Sequence, residues 1–308
     1  MAQSFKERRS ALAALGLDLV PEMVAGTVGI AAPEIDPAIY EGVDVAKDLA
    51  YGSHERHVLD VYYAGGAPLG SASAPADSDS GAAGKPVLIY VHGGGFVRGA
   101  KDSDQTPYFK NIGSWAVQQG WVAVVINYRL APEFAYPSGA EDVAAAVTWT
   151  VDHIAEFGGD PSKIFLSGQS AGSVHVADYV VGHGGFGPHG RALAGAAIIS
   201  CIYDVTRATK NGLNDAYWGD DESRWAEYAT LQGLIDTDLP LFLSVSELDQ
   251  AEFQDHAAQM VTAWYAAKGT YPPMHYLYAQ NHLTPVYSIG SPSDELGPKL
   301  KRFIEVNA

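Results

Sequence analysis

Several stretches of the chain are unbroken, or nearly unbroken, runs of apolar residues: 86–91, 122–126 and 194–202. A strand with one wet face alternates apolar and polar residues. A short continuous run instead marks a strand buried on both faces, as in a mainly parallel sheet covered by helices. Between these runs the spacing is helical. Residues 140–156 put Val143, Val147, Val151 and Ile154 on one face, and helices are also expected at 108–119, 171–183 and 252–267. Further strands are expected at 163–167, 240–246 and 274–278, with a terminal helix at 294–306. Two strand candidates come earlier, 43–45 and the segment 57–63, which is rich in β-formers. Strands alternating with helices give an α/β fold with a mainly parallel, doubly wound sheet.

Some segments fall outside this alternation. Residues 1–45 are broken by Pro21, Pro33 and Pro37, and residues 205–238 carry Tyr217, Trp218, Trp225 and Tyr228. Together they are expected to form a small helical cap over the carboxyl edge of the sheet, where open α/β folds bind ligands. Residues 64–85 are almost wholly Gly, Ala, Ser, Pro and Asp. With no apolar face to bury, that stretch reads as a mobile surface loop. The remainder, 46–308, is read as one core into which 64–85 and 205–238 are inserted.

With 36 acidic and 19 basic residues the 308-residue chain has a net charge of −17. That balance argues against a nucleic-acid partner, which needs a basic surface, and against docking on anionic membranes. Cys201 is the single cysteine. No intramolecular disulfide can form, and a reducing, cytoplasmic setting is expected. Its place in the run 194–202 gives it a packing role. No apolar stretch reaches the ~18 residues of a membrane-spanning helix. Lys6, Arg8 and Arg9 precede an apolar 11–15, faintly like a signal peptide. Glu7 and Asp18 interrupt that pattern, and Leu12, Leu15 and Leu19 recur at helical spacing, so an amphipathic helix is the expectation.

Chemistry concentrates at residues 168–172, Gly-Gln-Ser-Ala-Gly, between an expected strand and an expected helix. A G-x-S-x-G sequence in that context is a nucleophile elbow. The turn holds Ser170 clear of the backbone at the positive end of a helix, and only small residues fit at 168 and 172. A second motif, His92-Gly-Gly-Gly-Phe96, directly follows the run 86–91. Its unshielded N–H groups can stabilise the oxyanion of a tetrahedral intermediate, and Ala171 N–H at the helix N-terminus would add another donor. A phosphate loop would need a different glycine spacing.

A serine nucleophile needs a histidine base. His282 follows the last expected strand in the loop 280–284, from which a mobile imidazole could reach over the sheet edge; His275, inside a strand pattern, is the second choice. The orienting carboxylate should follow the penultimate strand, where Glu247 and Asp249 both stand. Either gives the order serine, acid, histidine that this kind of fold uses.

These residues resemble the α/β-hydrolase superfamily, and more closely its hormone-sensitive-lipase-like (family IV) carboxylesterases. The resemblance rests on HGGGF at 92–96, YRLAPE at 128–133, Tyr136-Pro137, Glu141-Asp142-Val143, Phe157-Gly-Gly-Asp160 and the elbow. It implies Ser170 as nucleophile, His282 as base, Asp249 as acid, and Gly94, Gly95 and Ala171 as oxyanion donors. Gln169 departs from the Asp common in the family, and Gln250-Ala251 from the usual Pro-Leu, which keeps Glu247 as an alternative acid.

The implied activity is that of a serine carboxylesterase without cofactor or metal, acting on small-molecule esters with short or medium acyl chains or aromatic groups. A homodimer is compatible with it. The same machinery would serve an amidase, arylformamidase or carbamate hydrolase. A catalytically silent small-molecule receptor on the same fold is the alternative of another class, and it predicts a damaged triad, whereas all the members are present here.

Overall fold

The computed structural model describes residues 4–66 and 84–308, so residues 67–83 of the expected 64–85 loop lie outside the described residues. The strands are β1 (Val43–Ala50), β2 (Val58–Ala64), β3 (Lys85–Val91), β4 (Val122–Ile126), β5 (Gly159–Gln169), β6 (Gly195–Ile199), β7 (Leu241–Leu248) and β8 (Met274–Asn281). They form one sheet in the order β1-β2-β4-β3-β5-β6-β7-β8. Pairs β1–β2 and β2–β4 are antiparallel, and every later pair is parallel. The helices are α1 (Phe5–Ala14), α2 (Pro21–Ala31), α3 (Lys110–Gln118), α4 (Ser138–His153), α5 (Ala171–Val181), α6 (Gly212–Trp218), α7 (Leu231–Asp236), α8 (Ala251–Lys268), α9 (Thr284–Tyr287) and α10 (Gly297–Asn307).

The continuous apolar runs are explained by two cores, one on each side of the sheet. In β3, Val87, Ile89 and Val91 face one core while Leu88 and Tyr90 face the other. Along β4, Val122, Val124 and Ile126 alternate in the same way with Ala123 and Val125. The first core is closed by α4, α5 and aromatics of the 205–238 segment, and the second by α3 and α10. Fully burying one such side chain is worth about 1.5–3 kcal/mol, so a polar residue at these positions would be costly. Helices cover both faces, and the carboxyl ends of the strands remain for chemistry.

Strand and helix ends differ from the sequence expectation where pairing and capping, rather than apolarity, set them. β5 begins at Gly159 because Gly159 registers with Lys85, although its first half is polar. β6 stops at Ile199 because Ser200 takes φ 50° and leaves the strand. The terminal helix starts at Gly297, where the Asp294 carboxylate accepts the N–H groups of Gly290, Leu296 and Gly297. In the N-terminal segment Leu12 is buried on α1 as expected of an amphipathic helix. Arg8 is buried as well, donating to Glu34, the Ala279 carbonyl and Ser288 Oγ. Among the described residues no helix is long and apolar enough to cross a membrane.

Candidate active site

The elbow is built by close approach. Ser170 sits at φ 57° and ψ −126°, a strained conformation for a residue with a side chain. A Cβ added at Gly168 would lie 2.4 Å from the Gly172 carbonyl oxygen, and one at Gly172 would lie 2.2 Å from that of Val91. The N-terminal turn of α5 is thereby pressed against the end of β3. Ser170 N–H donates to the Ile199 carbonyl at 3.1 Å, and Ser173 Oγ donates to the Ser170 carbonyl at 2.5 Å, fixing the turn from both sides.

The glycine loop lies beside it. A Cβ at Gly94, whose φ is 136°, would strike the Arg98 carbonyl at 2.0 Å, so glycine is required there. Tyr128 of the YRLAPE segment donates its hydroxyl to the His92 carbonyl at 2.9 Å and stacks on the His92 ring. His92 is buried, which pushes its pKa down to about 3 and makes it a neutral prop. Phe96 stacks on Tyr217 at 4.4 Å between ring centres, tying the loop to the 205–238 segment. Gly94, Gly95 and Ala171 all line the cavity that holds Ser170, and no turn or loop hydrogen bond among the described residues uses the N–H of Gly94 or Gly95.

β8 runs to Asn281, so His282 leaves the sheet directly at the strand end. Its imidazole is fully buried rather than mobile: Nδ1 lies 2.7 Å from Asp249 Oδ1, and Phe253 of α8 stacks on the ring at 4.3 Å. A carboxylate only accepts, so Nδ1–H is the donor of this bond, and in the neutral imidazole the lone pair then lies on Nε2. Among the described residues Nε2 has no hydrogen-bond partner, and His282 and Ser170 line the same cavity. Asp249 Oδ2 accepts from Ser200 Oγ at 2.7 Å and from Ser246 N–H at 2.6 Å, which locks its plane. Glu247 is committed elsewhere. It pairs with Arg9 and accepts the N–H of Ala279 at 2.9 Å. His275 stacks on Phe242, away from the cavity lining.

The cavity measures about 470 Å³. Leu19, Val20 and Val24 line it from the N-terminal segment, and Asn211, Leu213 and Asn214 from 205–238. Among the described residues no group of three or more His, Cys, Asp or Glu side chains is placed to hold a metal ion. Burial pushes the Cys201 thiol well above its ordinary pKa, in keeping with packing. The sequence reading missed Ser200, Phe253 and the role of Gln169. Ser200 could have been found: it is a polar residue at the end of an apolar strand that neighbours β7.

A family model described as alpha/beta hydrolase fold matches residues 88–265, more than half of the chain. The chain belongs to the alpha/beta hydrolase family. Within it, the chain falls in the hormone-sensitive-lipase-like (family IV) branch. Carboxylesterase NlhH of Mycobacterium tuberculosis is 43% identical over 88 residues, covering 28% of this chain and 26% of that protein. Tuliposide A-converting enzyme 2 of Tulipa gesneriana is 36% identical over 138 residues, covering 42% of this chain and 34% of that one. The matches therefore span only about a quarter to a third of these relatives.

Among solved structures, esterase B from Lactobacillus rhamnosis superposes with a TM-score of 0.67 at 18% identity, over 96% of this chain and 95% of that one. A bacterial heroin esterase superposes with a TM-score of 0.65 at 21% identity, over 98% of both. At those identities the likeness is one of fold. In this alpha/beta hydrolase the YRLAPE residues brace loops: Arg129 binds buried Asp142 through both its backbone N–H and its guanidinium.

Proposed function

We propose that the protein hydrolyses small-molecule carboxylic esters through an acyl-enzyme on Ser170, with His282 as base and Asp249 as orienting acid. The observation that carries this reading is the buried Asp249–His282 hydrogen bond of 2.7 Å, with an unpartnered Nε2 on the cavity shared with Ser170. Ser170 Oγ attacks the ester carbonyl while His282 Nε2 takes its proton. The oxyanion is held by N–H groups of Gly94, Gly95 and Ala171, each such donor being worth about 10²–10³ in rate. His282 then protonates the leaving alcohol, and a water molecule, activated by the same imidazole, releases the acid and frees Ser170.

The names of the curated relatives and structural neighbours support an esterase reading. A cavity of about 470 Å³ with apolar Val174, Leu213, Phe253 and Tyr287 in its lining fits short or medium acyl chains or an aromatic ester. Residues from both 1–45 and 205–238 line it, which supports reading the two segments as one cap over the expected core of 46–308, except that residues 43–45 open β1 and belong to the core sheet. The lone cysteine supports a reducing, cytoplasmic setting.

Ser170→Ala should abolish turnover of short p-nitrophenyl esters and covalent labelling by a fluorophosphonate. Retention of either would overturn the assignment.

A further inference from the structure

We infer that Gln169 is a positioning residue that sets the separation between Ser170 and His282. The inference rests on the proposed nucleophile and base. Ser170 follows β5 and His282 follows β8, and these strands are not neighbours: β6 and β7 lie between them. Three successive strand pairings would otherwise determine how far apart the two side chains stand, and small variations in each would add.

Gln169 spans that gap directly. It is the last residue of β5, paired in register with Ile199, so its main chain is fixed to the sheet immediately before Ser170. Its buried side chain donates from Nε2 to the His282 carbonyl at 2.8 Å. Among the described residues this is the only side-chain hydrogen bond between 168–172 and 280–284. The remaining restraints on the histidine loop come from elsewhere. Asp249 holds the ring, Asn281 donates to Thr27 Oγ1 at 2.7 Å, and Asn281 Oδ1 accepts from Leu283 and Thr284.

The other end of the amide serves the glycine loop. A Cβ added at Gly93 would lie 2.9 Å from Gln169 Oε1 and 3.2 Å from Ser170 Cβ. The backbone that leads to the oxyanion donors therefore rests on the same side chain that holds the histidine loop. The His282 carbonyl oxygen only accepts, and Gln169 supplies the donor. An amide does so without placing a second buried anion near the imidazole, leaving Asp249, among the described residues, as the only carboxylate hydrogen-bonded to His282. With the His282 carbonyl placed as it is in this chain, a carboxylate at 169 would set oxygen against oxygen.

The test uses Gln169→Glu, which keeps the shape and removes the donor, and Gln169→Ala, each in the full chain and assayed below its thermal midpoint. The readouts are the rate of Ser170 labelling by a fluorophosphonate, kcat and KM on p-nitrophenyl butyrate, and the low-field proton resonance of His282 Nδ1–H. Misplacing reacting groups by about 1 Å costs about 10²-fold in rate, so labelling and kcat should fall by about tenfold or more in Gln169→Glu while KM stays within about twofold. The Nδ1–H resonance should shift or broaden. Labelling, kcat and resonance all equal to those of the unaltered protein would overturn the inference. If the unaltered protein neither labels nor hydrolyses esters, the proposed function fails. The resonance then decides alone: unmoved in Gln169→Glu it overturns the positioning role, and moved it supports it. Should Gln169→Ala not fold, the near-isosteric Gln169→Glu still gives the result.

Discussion

Gly172→Ala tests whether close approach, rather than backbone freedom, is what the elbow demands at that position. Gly172 has no positive φ, so the change introduces no backbone strain of its own. The new methyl carbon would lie 2.2 Å from the Val91 carbonyl oxygen and 2.5 Å from that of His92. Both are backbone atoms of the segment that leads into the glycine loop, and neither can rotate away. The start of α5 must retreat from β3 by about 1 Å, an overpacking strain of about 1–3 kcal/mol. At about 2 °C per kcal/mol for a chain of this size, Tm should fall by about 2–6 °C. The rate should suffer more, because the shift separates Ser170 and Ala171 from the glycine loop, and about 1 Å of misplacement costs about 10²-fold. The assay is kcat/KM on a short p-nitrophenyl ester, paired with thermal unfolding. Gly29→Ala is the control: its Cβ would meet nothing within 4 Å, and in α2 it should stabilise by up to about 1 kcal/mol. If Gly172→Ala keeps the kcat/KM and Tm of the unaltered protein, the contact does not constrain the elbow and the reasoning is wrong.

The two acids after β7 should separate cleanly. Asp249→Asn should lower kcat by about 10⁴-fold by supplying the wrong partner for the imidazole, whereas Glu247→Gln, remote from the ring, should lower it by less than about tenfold. Comparable losses in both would reopen the choice of acid. Asp178 provides a test of stability against pH. Burial raises its pKa from 3.8 to about 6, one oxygen facing His183 at 3.0 Å and the other having no partner among the described residues. Because the folded state binds this proton more tightly than the unfolded chain, the contribution is fully present below pH 3.8 and is lost as pH rises through about 6. At about 1.36 kcal/mol per pH unit, the ionised side chain costs at most about 3 kcal/mol above that range. Asp178→Asn should therefore stabilise at pH 7.5 and not at pH 3.5. Denaturant titrations at the two pH values check it, and an equal effect at both would refute the cause.

Much of this site was legible because the signals were local. The apolar runs at 86–91 and 122–126 identify strands buried on both faces, since alternating residues of each enter opposite cores. The glycines at 168 and 172 announce a turn with no room for a side chain. The illegible parts depend on pairings distant in sequence. Nothing within residues 246–249 distinguishes Glu247 from Asp249. The difference arises because β8 carries a bulge at Ala279, whose N–H is met by Glu247, and because Ser200 at the end of β6 reaches Asp249. Arg8 reads as one charge among several on an amphipathic helix. Its burial becomes intelligible only once α1 lies on β8, where the guanidinium meets the Ala279 carbonyl.

Backbone strain ties these long-range contacts together. Among the described residues the non-glycine positions with positive φ include Phe96, Ser170, Ser200 and Ala279, all near the carboxyl ends of strands that feed the site. Such conformations cost of order 1–3 kcal/mol apiece and persist only where surrounding contacts over-determine them. Each of the four is held by a partner from another element. The Phe96 carbonyl accepts from Ala131, Ser170 donates to Ile199, Ser200 donates to Ser244, and Ala279 is gripped by Glu247 at its N–H and by Arg8 at its carbonyl. The site therefore does not reside in the elbow alone. Apart from the elbow, which its own motif announces, its geometry is stored in bends that no local sequence rule favours, each held by a residue far away in the chain.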